Sequence, residues 1–517
     1  MGKNCMHIKK YIKSKLYQNI RFRRYYYKMI KKILKRKVIR DCTKDLQEID
    51  NSIREMQEYR QKAGKRLLVS GHIGSSPRTA YLAKVNSTLT KHYEIIELIE
   101  SDIDYTRLGK IKWTGITDKE AEALKIFIAP SLFLKDTFVA YEKVKIINKY
   151  KKLIAEKVYL SEAVENLKQR HFNMDYSFIV YFVAQSYQYL TAVIDTLAPD
   201  CVMLWNQFFA FHHIFEGICK ERQIKCMYFE FGVLPGTYAI ERKGQMGESY
   251  PAQEYKRFSE LKVTIDEVRR AKDICEYIKN NRINRKVQPK RNLNTLLSHR
   301  LEMDKPIIFY AGQNDFESGL CPYTEHTKQF HSPIFKSSDD AVYYLAKLAK
   351  KNGWNIIYKM HPLVSKFCLP QKFPKNVIVI DDVDINDLIE ISDLTITILS
   401  QTGYVALFNE KPVLMLGYTQ LRGKGCNYEV FELEKIESEI KIALQYGFTN
   451  EQKNKFETHI AQIIKYYVYD DQWFDKKISY GKSIQDCAEF VQQCLDEEIV
   501  FNNAVNRDGE KNEHRDD

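Results

Sequence analysis

The chain has 517 residues, 44% of them apolar and 28% charged. That length and balance suit a soluble protein of two or three units and exclude bulk disorder, a collagen-like repeat or a disulfide miniprotein. Formal net charge is +13. Residues 1–40 hold 15 Lys or Arg and no acid, so the rest of the chain is close to neutral. The basic excess is therefore an arm, and nucleic-acid binding over the domain faces is not expected.

The arm reads as an amphipathic helix. Ile8, Ile12, Leu16 and Ile20 recur every four residues among Lys9, Lys10, Lys13 and Lys15, and Tyr25, Tyr26 and Tyr27 follow. Such a segment suits an anionic membrane surface. No apolar run is long enough to span a bilayer; Phe178–Ile194 is broken by Gln185, Ser186 and Gln188. The eleven cysteines are scattered with no C-x-x-C pair, as in a reducing compartment. The expected location is the cytoplasm, peripheral on the inner face of the cytoplasmic membrane.

Lys65–Gly74 reads as a strand running into a glycine turn, and residues 75–195 as a mostly helical stretch of unresolved order. Pro199–Asn206 is a short buried strand, Phe208–Arg222 a helix and Ile224–Glu230 a second strand, which make a βαβ unit. Residues 284–304 are a polar, basic linker. Strands follow at Pro306–Ala311, Asn355–Met360, Asn376–Ile380, Leu394–Leu399 and Pro412–Leu416. Between them lie helices at Ser338–Asn352, Ile385–Ile391 and Thr402–Asn409. Ser338 is taken as an N-cap and Gly353 as a C-terminal stop.

The fold class expected is α/β with two doubly wound Rossmann-like domains facing a cleft, a GT-B-like layout, plus the basic arm. The divisions are 1–60 arm and connector, 61–290 acceptor domain, 291–450 nucleotide-sugar domain, 451–502 helices packing back, and 503–517 a disordered tail.

Ligands of such sheets bind beyond the C-terminal strand ends. Asn206, Glu230 with Gly232, Gln313 with Asp315, Lys359 with His361 and Pro362, and Ser400 with Gln401 and Thr402 stand at those exits. Hydroxyls and backbone N–H groups at Ser400–Thr402 suit a phosphate, or simply cap a helix. His361 can stabilise a leaving nucleotide. Lys359 adds charge or points outward. Glu230 suits a base or nucleophile, with Asp315 as a rival carboxylate from the facing domain. Gly232 would allow close backbone approach. His212 and His213 read as structural. No His, Asp and Glu grouping has metal-ligand spacing, so no metal is expected.

The strings IIFYAGQNDFESG, IIYKMHPLV, DINDLIEISDLTITILSQTGYVALFNEKPVLMLG and LRGKGCNYEV, in that order, resemble the bacterial capsule polysaccharide biosynthesis family, which includes β-Kdo transferases. The segment VMLWNQ to KGQ (residues 202–245) is similar to its N-terminal domain. The resemblance implies a GT-B glycosyltransferase with a CMP-activated, Kdo-like donor and a lipid-linked or glycan acceptor. It implies a retaining, metal-independent reaction with no cofactor, the CMP-sugar being a substrate. It places His361, Pro362, Ser400 and Thr402 on the nucleotide, Gln313 and Asp315 in the donor domain, and the acidic motif on Glu230 to Gly232. The chain departs from the family at Phe231, where relatives often carry a second acid, and at Glu241 ahead of Gly244. A CDP-glycerol-type phosphotransferase and a non-catalytic GT-B scaffold are the alternatives.

Overall fold

A computed structural model describes residues 50–57, 64–72, 77–90, 92–100, 125–128, 144–170, 176–285, 288, 293, 301–361, 372–380, 383–470 and 477–497. The basic arm, Pro362 and the 503–517 tail lie outside the described residues. Among the described residues no helix is long and apolar enough to cross a membrane.

The first sheet contains β1 (Arg66–His72), β2 (Glu94–Glu100), β3 (Lys125–Ile128), β4 (Cys201–Trp205), β5 (Lys225–Phe231) and β6 (Thr237–Glu241). A late strand, β13 (Tyr469–Asp470), joins its edge, and the order is β13-β6-β5-β4-β1-β2-β3. β1 to β5 are parallel, whereas β6 is antiparallel to β5 and to β13. The helices are α1 (Pro77–Leu89), α2 (Val144–Ala155), α3 (Val158–Arg170), α4 (Tyr176–Leu197) and α5 (Ala210–Glu221). Two apolar clusters cover the two faces of the sheet, one built from α2 to α5 and one from α1 and a C-terminal helix.

β2 and β3 fall in the stretch read as mostly helical. Glu94, Glu97 and Glu100 recur every third residue, a spacing that imitates a helix face. Parallel pairing on both sides of β2 overrides that local signal.

The second sheet contains β7 (Ile307–Ala311), β8 (Asn355–Lys359), β9 (Val377–Ile380), β10 (Leu394–Thr397), β11 (Val413–Met415) and β12 (Tyr428–Glu429), in the order β12-β11-β10-β7-β8-β9 and parallel throughout. Its central strands are continuous apolar runs because both faces are covered. The covering helices are α6 (Ile265–Asn280), α7 (Glu325–Phe330), α8 (Ser338–Asn352), α9 (Ile385–Ile391), α10 (Thr402–Phe408), α11 (Ile436–Tyr446) and α12 (Asn450–Tyr466). α6 shares one apolar cluster with α12 and the second sheet, so that core extends across the division drawn at residue 290. After β13, α13 (Ile484–Asp496) packs on α1.

The N-cap of α8 is Ser337, whose hydroxyl accepts from Asp340 N. Ser338, expected to cap, is the first helical residue and has another task, described below. Gly353 ends α8 at φ 71°, a left-handed value that favours glycine.

In each sheet the chain winds one way, then returns to wind the other. The switch falls between β1 and β4 in the first and between β7 and β10 in the second. The exits of those strands flank a crevice in each unit. The pattern of two doubly wound units facing each other is the GT-B architecture.

Arg66 anchors the first sheet at the opposite end from the crevice. Its side chain is fully buried; Nε and Nη2 donate to Glu94 Oε2 at 3.0 and 2.8 Å, and Nη1 donates to the Leu197 carbonyl. Arg66→Met leaves Glu94 without its ion partner and that carbonyl without its donor. The expected loss is about 3 kcal/mol, read from urea unfolding.

Candidate functional site

A cleft of about 560 Å3 lies between the two units. It is lined from the first by Asn206, Glu230, Gly232 and Leu234, and from the second by Gln313, Asn314, Ser318, Lys359, His361, Ser400, Gln401 and Thr402. Most of the residues singled out in the sequence therefore meet in one place.

The walls are tied together by local bonds. Gln313 leaves β7, and its Oε1 accepts from Leu399 N at 2.7 Å, joining the two strand exits at the switch point. Thr397 Oγ1 accepts from Ser400 N at 3.2 Å, and Ser400 Oγ accepts from Thr402 N at 3.2 Å while its hydroxyl donates to Thr402 Oγ1 at 3.0 Å. This turn opens α10, which has only seven residues. The hydroxyls matter more here than the dipole of so short a helix. Lys359 is buried, and its Nζ donates to the Val383 carbonyl at 2.7 Å. It points into the structure and the cleft, not outward.

Among the described residues, three buried polar atoms on this wall have no hydrogen-bond partner: Gln313 Nε2, Asn314 Nδ2 and Ser318 Oγ. Leaving a buried polar group unmade costs about 1–3 kcal/mol, and such orphans gather where a ligand completes the set.

Asn206 stands at the β4 exit with φ 49°, a conformation asparagine tolerates better than most residues. Its Nδ2 donates to the Glu317 carbonyl at 2.9 Å and its Oδ1 accepts from Phe208 N at 3.1 Å. It lines the cleft with its own side chain committed to holding the two units together. His212, buried, bonds through Nδ1 to the Asn206 carbonyl at 3.2 Å, a structural role as expected.

One expectation is corrected. Asp315 does not line the cleft. Its Oδ2 accepts from Ser338 N at 2.9 Å and its Oδ1 from the Ser338 hydroxyl at 2.7 Å, so it seats the start of α8. Gly232 lines the cleft and also serves its own hairpin: a Cβ there would stand 2.1 Å from Thr237 Oγ1, and its N–H donates to the Thr237 carbonyl at 2.8 Å.

The departures have physical accounts. Phe231, in place of a second acid, packs edge-on against Trp205 at 4.9 Å and stacks on Tyr238 at 5.6 Å. Glu241 is buried away from the cleft, its carboxylate accepting from Tyr250 N, and burial pushes its pKa up to about 8.

Arg285, in the linker, was not singled out by motif. Its guanidinium lies 4.9 Å over the Phe231 ring and donates from Nη1 to Gln401 Oε1 at 2.6 Å. Desolvation lowers its pKa, and the nearby Glu230 carboxylate acts the other way. A cation thus spans the first unit's acid and the second unit's hydroxyl turn. The only sequence signal was the basic composition of residues 284–304.

Elsewhere, Glu248, His326 and His331 form a cluster whose ligand atoms lie within 4.8 Å of one another. The two histidines are close in the chain, but Glu248 is remote from both, which hid the cluster from spacing arguments.

These features define a GT-B-type protein with a polar, cation-bearing cleft. A model of the family described as capsule polysaccharide biosynthesis protein matches residues 255–430, about a third of the chain. No curated protein matches. Among solved structures, the chain is similar to two Thermosulfurimonas dismutans KpsC domains. The β-Kdo 2,7 transferase has 16% identity and a TM-score of 0.34, over 59% of this chain and 89% of that one. The β-Kdo 2,4 transferase has 16% identity and a TM-score of 0.35, over 51% and 87%. The glycosyltransferase SnogD from Streptomyces nogalater has 13% identity and a TM-score of 0.28, over 83% and 99%. At these values the likenesses carry no assignment of activity.

Burial raises the Asp315 pKa to about 7, against its bonds from Ser338. The unfolded chain ionises near 3.9. Between about pH 4 and 7 the folded state therefore holds the extra proton, and stability falls as pH rises through that window. Asp315→Asn, which mimics the protonated form, is expected to remove about one proton from that dependence, read as the slope of unfolding free energy against pH.

Proposed function

We propose that the protein is a glycosyltransferase of capsular or surface polysaccharide synthesis. It moves a Kdo-like sugar from a CMP-activated donor to a lipid-linked or glycan acceptor at the cytoplasmic face of the membrane. The observation that carries this reading is the cleft, where unpartnered buried amides and a hydroxyl lie on one wall with Lys359 and His361, across from Glu230. The match of residues 255–430 to the capsule family supports it.

In this reading the nucleotide lies on the second unit. Ser400 and Thr402 bond the phosphate, His361 and Lys359 balance the charge that grows on departing CMP, and Gln313 orients the donor. Arg285 closes over the phosphate from the linker. These side chains supply the positive charge, so no cofactor is assigned to the cleft. Glu230 attacks the anomeric carbon as the bond to the phosphate oxygen breaks and CMP leaves with the electron pair. The acceptor hydroxyl then attacks the anomeric carbon and yields its proton to the phosphate of departing CMP, while Glu230 leaves with its electron pair as the carboxylate, and the stereochemistry is retained. Residues 1–40 hold the enzyme at anionic lipid near the acceptor.

The test is a donor panel on the purified full chain with a lipid acceptor, comparing CMP-Kdo, CMP-sialic acid, CDP-glycerol and UDP-sugars. CMP release from one CMP-sugar is expected, falling by roughly 100-fold or more in Glu230→Gln. CMP release from CDP-glycerol alone would assign a phosphotransferase, and nucleotide binding without turnover a scaffold. Arg285→Ala is expected to raise the donor KM by about tenfold or more, the worth of one charge-assisted hydrogen bond.

A further inference from the structure

Beside the cleft lies a second cavity of about 470 Å3, bounded by α3, α5 and the segment 319–331. The two share a wall. Asn206, Met246 and Ser318 face the cleft, and Gln207, Glu248 and Gly319 face the second cavity.

On that wall three side chains converge. His326 Nε2 and His331 Nε2 each lie 3.0 Å from Glu248 Oε1, and Gln207 Nε2 stands 3.1 Å from the same atom. One carboxylate oxygen has two lone pairs, so three N–H donors crowd it. The crowding disappears if the two imidazoles turn lone pairs, not N–H groups, toward a shared cation. Zinc bonds of about 2.0–2.1 Å at tetrahedral angles set ligand atoms about 3.3 Å apart; each histidine nitrogen lies 3.0 Å from Glu248 Oε1, and all three ligand atoms lie within 4.8 Å of one another.

The surroundings are shaped for these side chains. A Cβ on Gly244 would stand 2.6 Å from Glu248 Oε2, and one on Gly319, at φ 81°, would stand 2.5 Å from His331 Nε2. The Phe208 ring meets His331 edge-on at 5.0 Å and fixes its plane. Glu248 and His331 are buried, whereas His326 is exposed on the cavity side.

We propose that Glu248, His326 and His331 bind a divalent transition cation of the zinc class, with the fourth position open to the second cavity. Two imidazoles and one carboxylate suit zinc better than magnesium or calcium, which prefer all-oxygen shells. Glu248 follows β6 of the first unit, whereas His326 lies in the first turn of α7 and His331 just after its last residue in the second. The ion therefore ties the segments that form the shared wall. The proposal stands apart from the transfer reaction and does not depend on it.

The test uses tag-free full-length protein. It is stripped with a chelator, reloaded with zinc(II) and freed of excess metal; zinc per chain is then measured by mass spectrometry. Cobalt(II) is substituted to read coordination from its visible spectrum. Near one zinc per chain, tetrahedral-type cobalt absorption and a raised melting temperature are expected. His326→Asn, at an exposed position where folding is not at risk, and Glu248→Gln are expected to weaken zinc binding by at least tenfold. His213→Asn, in the same cavity but paired with Glu162 at 2.9 Å, is expected to bind like wild type. Failure of the wild-type chain to retain zinc overturns the proposal. So does His326→Asn with unchanged zinc affinity, or His213→Asn as damaging as His326→Asn.

Discussion

One segment, residues 314–331, holds the two units face to face. Asn166 Nδ2 donates to the carbonyls of Phe316 at 3.3 Å and Cys321 at 2.8 Å, Arg170 pairs with Glu317 at 2.6 Å, and Asn206 Nδ2 donates to the Glu317 carbonyl. These are buried or half-buried polar contacts, mostly to backbone carbonyls, and each would leave an unsatisfied group if the units parted. They fix the width of the cleft and form the far side of the second cavity. The same segment carries Ser318, which faces the cleft, and His326 and His331, which do not. Site and assembly are thus one construction: the groups that could meet a ligand lie a residue or two from those that lock the domains.

The Phe231 departure gains sense in that setting. A second acid beside Glu230 would place two like charges at one strand exit and raise the pKa of one of them. Phe231 offers instead an aromatic face to Arg285, and the guanidinium reaches on to Gln401. At this strand exit Glu230 therefore stands beside a cation held on an aromatic platform, an arrangement suited to an anionic ligand lying across the domain boundary.

The second sheet was legible in the sequence because its strands are apolar runs ended by Gly312, His361 and Ser400. Topology then makes such strand exits neighbours, so the cleft residues could be read before any contact was known. The first unit was less legible. β2 carries glutamates at helix spacing, and its Glu97 is sheltered by an Asn86 amide at 2.8 Å that only the folded chain supplies. Asp315 was misplaced for a related reason. A carboxylate just past a strand looks like a site residue until the start of α8, 23 residues on, is seen to claim both its oxygens. Arg285 and the Glu248 cluster were hidden because their meaning lies in contacts between segments remote in the chain.

Burial sorts the carboxylates into two kinds of work. Glu97, Glu241 and Asp315 are buried, and desolvation lifts all three, to about 7, 8 and 7. Each is met by amide, hydroxyl or backbone N–H donors and by no cation among the pairs described, so a proton on each costs little and a charge costs much. Such groups build structure and lower stability as pH rises. Glu248 is also buried, and burial alone would raise its pKa, yet it is driven down to about 2 because the interactions with His326 and His331 together outweigh burial. A carboxylate kept charged in a buried place needs partners, and here they come from across the domain boundary. Glu230 is the third case: half-buried, at the cleft wall and close to Arg285. It lacks the full burial that lifts the other three, and a guanidinium stands beside it, the setting that the proposed nucleophile requires.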